Sequence, residues 1–240
     1  MTNFLDALHL PGPEEPAGVL MWGKSPELVD QDLAAGVARI GGLRTPFYDQ
    51  SYLLAANTLL RTALQAKTLD HHALPIFYLQ RHAAELLIKA PLLVGLEVKK
   101  LLSKLGKLGP SNSVIADQRH DAAFKSHSLA DLLSALEEMT DLLQVGEVPA
   151  ALEKVVCIIL SVEQSQETWS RYASSWAGPK GQKQLVMHVE KETIVPLAEI
   201  QNLLQTANVA QGSVFPFDGR MMGNLGSLWQ SLAREAGEID

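Results

Sequence analysis

The stretch FYLQRHAAELLIKA, Phe77 to Ala90, constrains the fold of this chain more than any other. At 100° per residue, Tyr78, His82, Glu85 and Lys89 fall within about 60° of arc, with Arg81 about 60° to one side of Tyr78. Leu79, Ala83, Ala84, Leu86, Leu87 and Ile88 fill most of the remaining circumference. A helix apolar over that much of its surface belongs at the centre of a bundle. Its polar stripe then faces either a narrow strip of water or an internal cleft. In the first case Arg81–Glu85 and Glu85–Lys89 form i,i+4 pairs on a solvated strip, each contributing about a few tenths of a kcal/mol. In the second, the stripe is a positively biased site with an imidazole able to move protons near neutral pH.

Helical periodicity continues on both sides of this stretch. SPELVDQDLAAGVARIGG reads as a capped helix, with Ser25 at the N-cap, Pro26 at N1, Glu27 complementing the dipole and Gly41-Gly42 as the stop. YDQSYLLAANTLLRTALQAK places Leu53, Leu60 and Leu64 on one stripe. DHHALP opens the third helix, with Pro75 in its first turn, and Pro91 predicts a kink or break near Ala90. From Ser103 to Ser126 the chain turns polar and loop-like. In HSLADLLSALEEMTDLLQ, Leu129, Leu132, Leu133, Leu136, Met139 and Leu143 share a face. Pro149 opens an apolar helix, PAALEKVVCIILSVEQSQETW, expected to be largely buried. SRYASSWAGPKGQKQLVMHVE breaks the helical pattern with Gly178-Pro179 and Gly181, and QLVMHVE reads as a short strand. KETIVPLAEIQNLLQTANVAQ and GNLGSLWQSLAREAG are closing helices, with FDGRMMGNLG a loop leading into the last. The fold class is all-α: a helical bundle spanning 25–240, one irregular or short-strand excursion near 169–191, and an irregular N-terminal arm at 1–24.

Leu and Ala outnumber Val and Ile, which agrees with helix over sheet. The N-terminus lacks the basic and apolar regions of a secretory signal, and no run reaches a membrane span, so a cytoplasmic protein with no membrane contact is expected. The single cysteine, Cys157, excludes an internal disulfide and reads as a small core residue. Net charge is −7, against indiscriminate coating of nucleic acid. The average conceals an asymmetry. From His71 to His127 there are eight Lys or Arg, four Asp or Glu and five of the seven histidines, so that segment carries +4 and the remainder −11.

YLQRHAAELLIKAPLL, followed after a loop by HSLADLL and later by QSQETWSRYASSWAGPKGQ, resembles a bacterial branch of the HEPN superfamily. That branch reads Tyr-Leu-x-Arg-His-x-x-Glu-Leu-x-x-Lys, then His-x-Leu at the next helix start, then an Arg-Tyr segment near a Lys-Gly turn. The helix in IVPLAEIQNLLQ also has a counterpart there, so the resemblance covers Tyr52 to Ala210. It implies a HEPN-like helical bundle that dimerises or docks on a partner protein. It also implies association with RNA or a nucleotide in bacterial defence or toxin–antitoxin systems. Arg81, His82, Glu85, Lys89, His127 and Arg171 match the branch's pattern. On this reading Arg81 is expected to hold phosphate, His82 or His127 to be the acid or base, and Glu85 to orient Arg81 or His82. Lys89, Lys99, Lys100, Lys104, Lys107 and Arg171 are candidate phosphate contacts. His127, at or near a helix N-cap, is expected to be neutral there because the dipole disfavours its protonated form. Ribonuclease members cleave without metal, through 2′-OH attack, using an Arg followed after four to six residues by His. No arginine here has a histidine at that distance.

Other chemistry is poorly represented. His71 and His72 are adjacent and point apart, and His120, Asp121 and His127 are loop residues near a basic run, so no metal site and no cofactor are expected. No P-loop, dinucleotide fingerprint or nucleophile elbow is present. Trp169, Tyr172 and Trp176 could stack on bases but read first as packing residues. Two functions stay open: an RNA- or nucleotide-binding protein, with a rearranged ribonuclease site at Arg81, His82 and His127, and a non-catalytic helical interaction module.

Overall fold

The stripe-bearing helix organises the molecule. The computed structural model describes residues 25–38, 48–108, 126–163, 174–179, 183–187, 192–212 and 219–239. The arm at 1–24, the expected loop at 109–125, and Trp169, Arg171 and Tyr172 lie outside the described residues. The chain divides into two compact units, Met1–Phe47 and Tyr48–Asp240. In the first, α1 spans Pro26–Ala35. Ser25 is its N-cap, accepting from the Leu28 N–H at 3.3 Å, with Pro26 at N1 as the sequence predicts. The stop comes earlier than Gly41-Gly42. Gly36 adopts φ 65, and the Val37 N–H bonds back to the Asp32 carbonyl at 2.8 Å.

The second unit is an all-α bundle with one hairpin: α2 (Tyr48–Ala66), α3 (Leu69–Lys104), α4 (Leu129–Leu143), α5 (Ala150–Glu163), β1 (Ser174–Ala177), β2 (Gln184–Met187), α6 (Leu197–Gln211) and α7 (Met221–Glu235). With 36 residues α3 is about 54 Å long, and it packs against α2, α4, α5, α6 and α7. None of the described helices is long and apolar enough to cross a membrane. The core runs along α3 through Ile76, Phe77, Ala84, Leu87, Ile88 and Leu92, against Leu132 and Met139 of α4 and Leu152 and Ile159 of α5. Gly95 lets Met139 of α4 pack directly on the α3 backbone, because a Cβ there would run into Met139 Sδ.

Several sequence expectations shift by a turn or a face. On α2 the buried stripe is Leu53, Ala56, Leu60 and Ala63, and Leu64 lies outside it, half exposed. Helix α3 starts at Leu69, so Pro75 falls in its second turn, at an exposed position where the freed His71 carbonyl can meet water. Cys157 is exposed rather than in the core, because Val155, Val156 and Ile159 take the inward face of α5. The QLVM strand pairs antiparallel with Ser174–Ala177, with Trp176 opposite Leu185. Trp176 is 66% exposed and so is not a packing residue. The expected loop MMGNLG is the first turn and a half of α7, with Met221, Met222 and Leu225 buried.

Pro91 does not break α3. Proline offers no N–H to the carbonyl four residues back, which here belongs to Leu87. Gln211, at the end of α6, donates Nε2 to that carbonyl at 3.0 Å. A second pair of amides joins the same helices: Gln80 Nε2 donates to the Leu197 carbonyl at 2.8 Å and to Gln201 Oε1 at 3.1 Å. Gln201 in turn donates to the Leu53 carbonyl of α2. Replacing Gln211 with Ala strands the Leu87 carbonyl, at a cost of about 1–3 kcal/mol in urea unfolding. A Pro91→Ala background restores an N–H there, so Gln211→Ala costs measurably less in it. Equal costs in the two backgrounds would refute the pairing.

Candidate functional site

The polar stripe of α3 is not a solvated strip. Arg81 and Glu85 are 5% and 2% exposed, buried where α3 meets the start of α4 and the end of α5. Their positions follow from chain geometry. One helical turn separates them, which directs both side chains to the same side of α3. Residue 127 arrives there because Ser128 is the N-cap of α4, its hydroxyl accepting from the Asp131 N–H at 3.3 Å. His127 therefore precedes the cap rather than forming it.

Arg81 donates in three directions. Nη1 reaches Glu85 Oε2 at 2.7 Å, Nε reaches Glu163 Oε1 at 2.8 Å, and Nη2 reaches the His127 carbonyl at 2.6 Å. Glu85 gathers the rest of the cluster on its other oxygen: Lys89 Nζ lies 2.7 Å and His127 Nδ1 2.9 Å from Oε1. Arg81 thus holds the backbone of residue 127 while Glu85 holds its ring. With the carboxylate ionised, the neutral imidazole keeps its proton on Nδ1 and leaves Nε2 as an acceptor. The His127 side chain is 60% exposed, in contrast to the buried acid behind it.

Burial is the largest influence on Glu85 and would raise its pKa. Hydrogen bonds from Lys89 and His127 outweigh it, so the carboxyl sits below its ordinary 4.5. Burial also dominates at His82 and lowers its pKa below 6.5. Glu85 acts the other way, and Arg81, Lys89 and His127 add to the lowering. The His82 ring is held between two tyrosines. Tyr52 of α2 meets it edge-on at 4.3 Å and 80°, and Tyr78 lies parallel to it at 6.1 Å and 3°.

Of the residues singled out in the sequence, Arg81, His82, Glu85, Lys89 and His127 come together. Arg171 lies outside the described residues. The lysine run does not join them. Lys99 stands about 15 Å beyond Lys89 along α3, and Lys107 lies past the end of that helix. Lys99 is buried, and Lys100, Lys104 and Lys107 pair with Glu97, Glu238 and Glu235 at 2.6–2.7 Å. Those four therefore lie apart from the Arg81–Glu85 cluster. Arg81 is buried, with three nitrogens engaged inside the protein. Glu163 and Tyr52 escaped sequence reading. Glu163 carried a signal, because it stands seven residues after Val156 and four after Ile159, an acid on the buried face of α5. Among the described residues no group of three His, Cys, Asp or Glu is arranged to hold a metal ion. Two shallow clefts lie elsewhere. One of about 310 Å³ sits at the α2–α3 turn beside Lys67 and Asp70. Another of about 250 Å³ lies between α2 and α6, among Gln50, Asn57, Gln205 and Asn208.

Removing one partner of a buried ion cluster leaves an uncompensated charge. Arg81→Ala is expected to cost about 3–5 kcal/mol in denaturant unfolding. Arg81→Lys will not recover it, because a single ammonium cannot meet three acceptors in different directions. A loss below about 1 kcal/mol would place the cluster in the class of surface pairs. The pKa directions give a second test. Both native values lie below the unfolded ones, so the unfolded chain takes up protons first as pH falls. The associated stability is present above each unfolded value. It declines from about pH 6.5 downward for His82 and from about pH 4.5 downward for Glu85. His82→Gln should flatten the fall in urea midpoint between about pH 7.5 and 5.5 while leaving the acid-side fall in place. An unchanged slope in that upper window would contradict the assignment to His82.

No protein-family model, no curated protein and no solved structure matches this chain.

Proposed function

We propose that this chain is a HEPN-like helical protein that binds RNA or a nucleotide where His127 emerges beside the Arg81–Glu85 cluster, with His127 as its acid–base group. The observation that carries the proposal is the 2.9 Å contact between His127 Nδ1 and a buried, ionised Glu85, on a ring that is 60% exposed. A carboxylate behind an imidazole sets its tautomer and orientation and leaves Nε2 to work on a ligand. In a bacterial defence or toxin–antitoxin setting the corresponding reaction is metal-independent RNA cleavage. His127 Nε2 takes the 2′-OH proton, the freed oxygen bonds to phosphorus, the P–O5′ bond breaks, and solvent protonates the departing oxygen. Arg81 and Glu85 are positioning residues in this scheme. His82, whose charged form burial disfavours, packs against Tyr52 and Tyr78 beside this group.

A second reading, a non-catalytic module that dimerises or docks on a partner protein, has its own support. The hairpin register sets Trp176 opposite Leu185 and Ser174 opposite Met187, which brings Trp176, Leu185 and Met187 to one face, and all three are exposed. Labelled single-stranded RNA incubated with the full chain in chelator separates the two. Under the first reading the RNA is bound and cut to cyclic-phosphate ends, and His127→Ala lowers the cutting rate about 10²–10⁴-fold. Binding without cutting retains the ligand class and removes the catalytic role. Wild-type protein that neither binds nor cuts leaves the interaction module as the function.

A further inference from the structure

The charges at the site cancel. Arg81 and Lys89 supply two positive charges, Glu85 and Glu163 two negative ones, and the exposed lysines farther along α3 each sit against a carboxylate. Phosphate attraction that sums over unpaired cations is therefore weak here. What adjoins the cluster instead is a set of rings. Tyr78 and His82 occupy the stripe one turn apart and lie parallel, and Tyr52 reaches over from α2 to meet His82 edge-on. All three are partly exposed.

We infer that Tyr52, Tyr78 and His82 form the subsite for the ligand's nucleobase, and that the ribose and phosphate extend along α3 toward His127 and Lys89. The inference rests on the nucleotide reading above and assigns its recognition to stacking rather than to charge. Three features support this orientation. The rings stand at the N-terminal end of the stripe and the polar groups at the other, with Tyr78 and Glu85 about 10 Å apart along the helix axis. Ring planes are already set, because one tyrosine holds His82 from the edge and the other lies parallel to it, so little freedom is lost on binding. At the polar end, Lys89 gives one of an ammonium's three donors to Glu85, and His127 presents an exposed ring. Aromatic faces stack on any base, so the subsite accepts purines and pyrimidines alike.

Calorimetric titration of the full chain with adenosine, adenosine 5′-monophosphate and ribose 5-phosphate tests this directly. Adenosine and its monophosphate are expected to bind within about threefold of each other, and ribose 5-phosphate at least about tenfold more weakly. Tyr78→Ala is expected to weaken the monophosphate about five- to 100-fold and Tyr78→Phe to retain it. The comparison of ligands uses wild-type protein, so a folding defect in a variant does not affect it. Ribose 5-phosphate binding as tightly as the monophosphate, or a folded Tyr78→Ala protein with unchanged affinity, overturns the base subsite and leaves the nucleotide reading standing. Wild-type protein that takes none of the three ligands overturns both.

Discussion

A guanidinium buried in a helical bundle must find all its partners inside the protein, and the junction of α3, α4 and α5 is organised around that requirement. Desolvating Arg81 costs several kcal/mol unless its donors are met. Glu85 supplies an acceptor from the same helix, Glu163 from the end of α5, and residue 127 a carbonyl from the approach to α4. These three acceptors lie 4, 82 and 46 residues from Arg81 in sequence. Each fixes where one element stops or starts. An ion cluster of this kind gives little net stability compared with a packed apolar substitute. Its contribution is to penalise alternative packings of those three helix ends.

Amides do the equivalent work elsewhere along α3. Gln211 supplies the donor that Pro91 lacks, and Gln80 and Gln201 link α3, α6 and the Leu53 carbonyl of α2. The central helix is thus registered against its neighbours twice, once by charge and once by neutral hydrogen bonds. Leucine contacts between the same helices are less directional and would tolerate sliding by a turn. The polar contacts would not.

This division also explains what the sequence made legible. Leucine spacing identified the helices and the central position of α3, because a helix apolar around most of its circumference has few other places to go. The i,i+4 spacing of Arg81, Glu85 and Lys89 was equally visible, but spacing alone is the same for a solvated strip and a buried cluster. Only the arrival of Glu163 and residue 127 distinguishes them, and both depend on tertiary packing. Helix ends were less legible. Gly36 stops α1 before Gly41-Gly42 because the first residue able to adopt the left-handed conformation suffices. His127 stands next to the cap, as expected, with the Ser128 hydroxyl accepting the Asp131 N–H. Pro91 leaves α3 unbroken because its missing bond is replaced from α6, 120 residues away in sequence. Tyr52 gave no local signal at all. Its role comes from the side of α2 that faces His82.

The absent Arg-x4–6-His spacing takes on a different meaning once Arg81 is seen to be buried. In the nuclease pattern that the sequence partly resembles, arginine and histidine share one helix and both can face a ligand. Here the arginine turns inward and holds residue 127, while the histidine it positions belongs to the approach to the next helix. Any chemistry at this site must therefore proceed with its strongest cation already neutralised by Glu85 and Glu163. Stabilising charge on a phosphate would fall to Lys89 and to His127 itself, and neither is a rigid bidentate donor. On the proposed reading the ligand is held mainly by its base, with His127, exposed at the edge of the cluster, placed to exchange a proton.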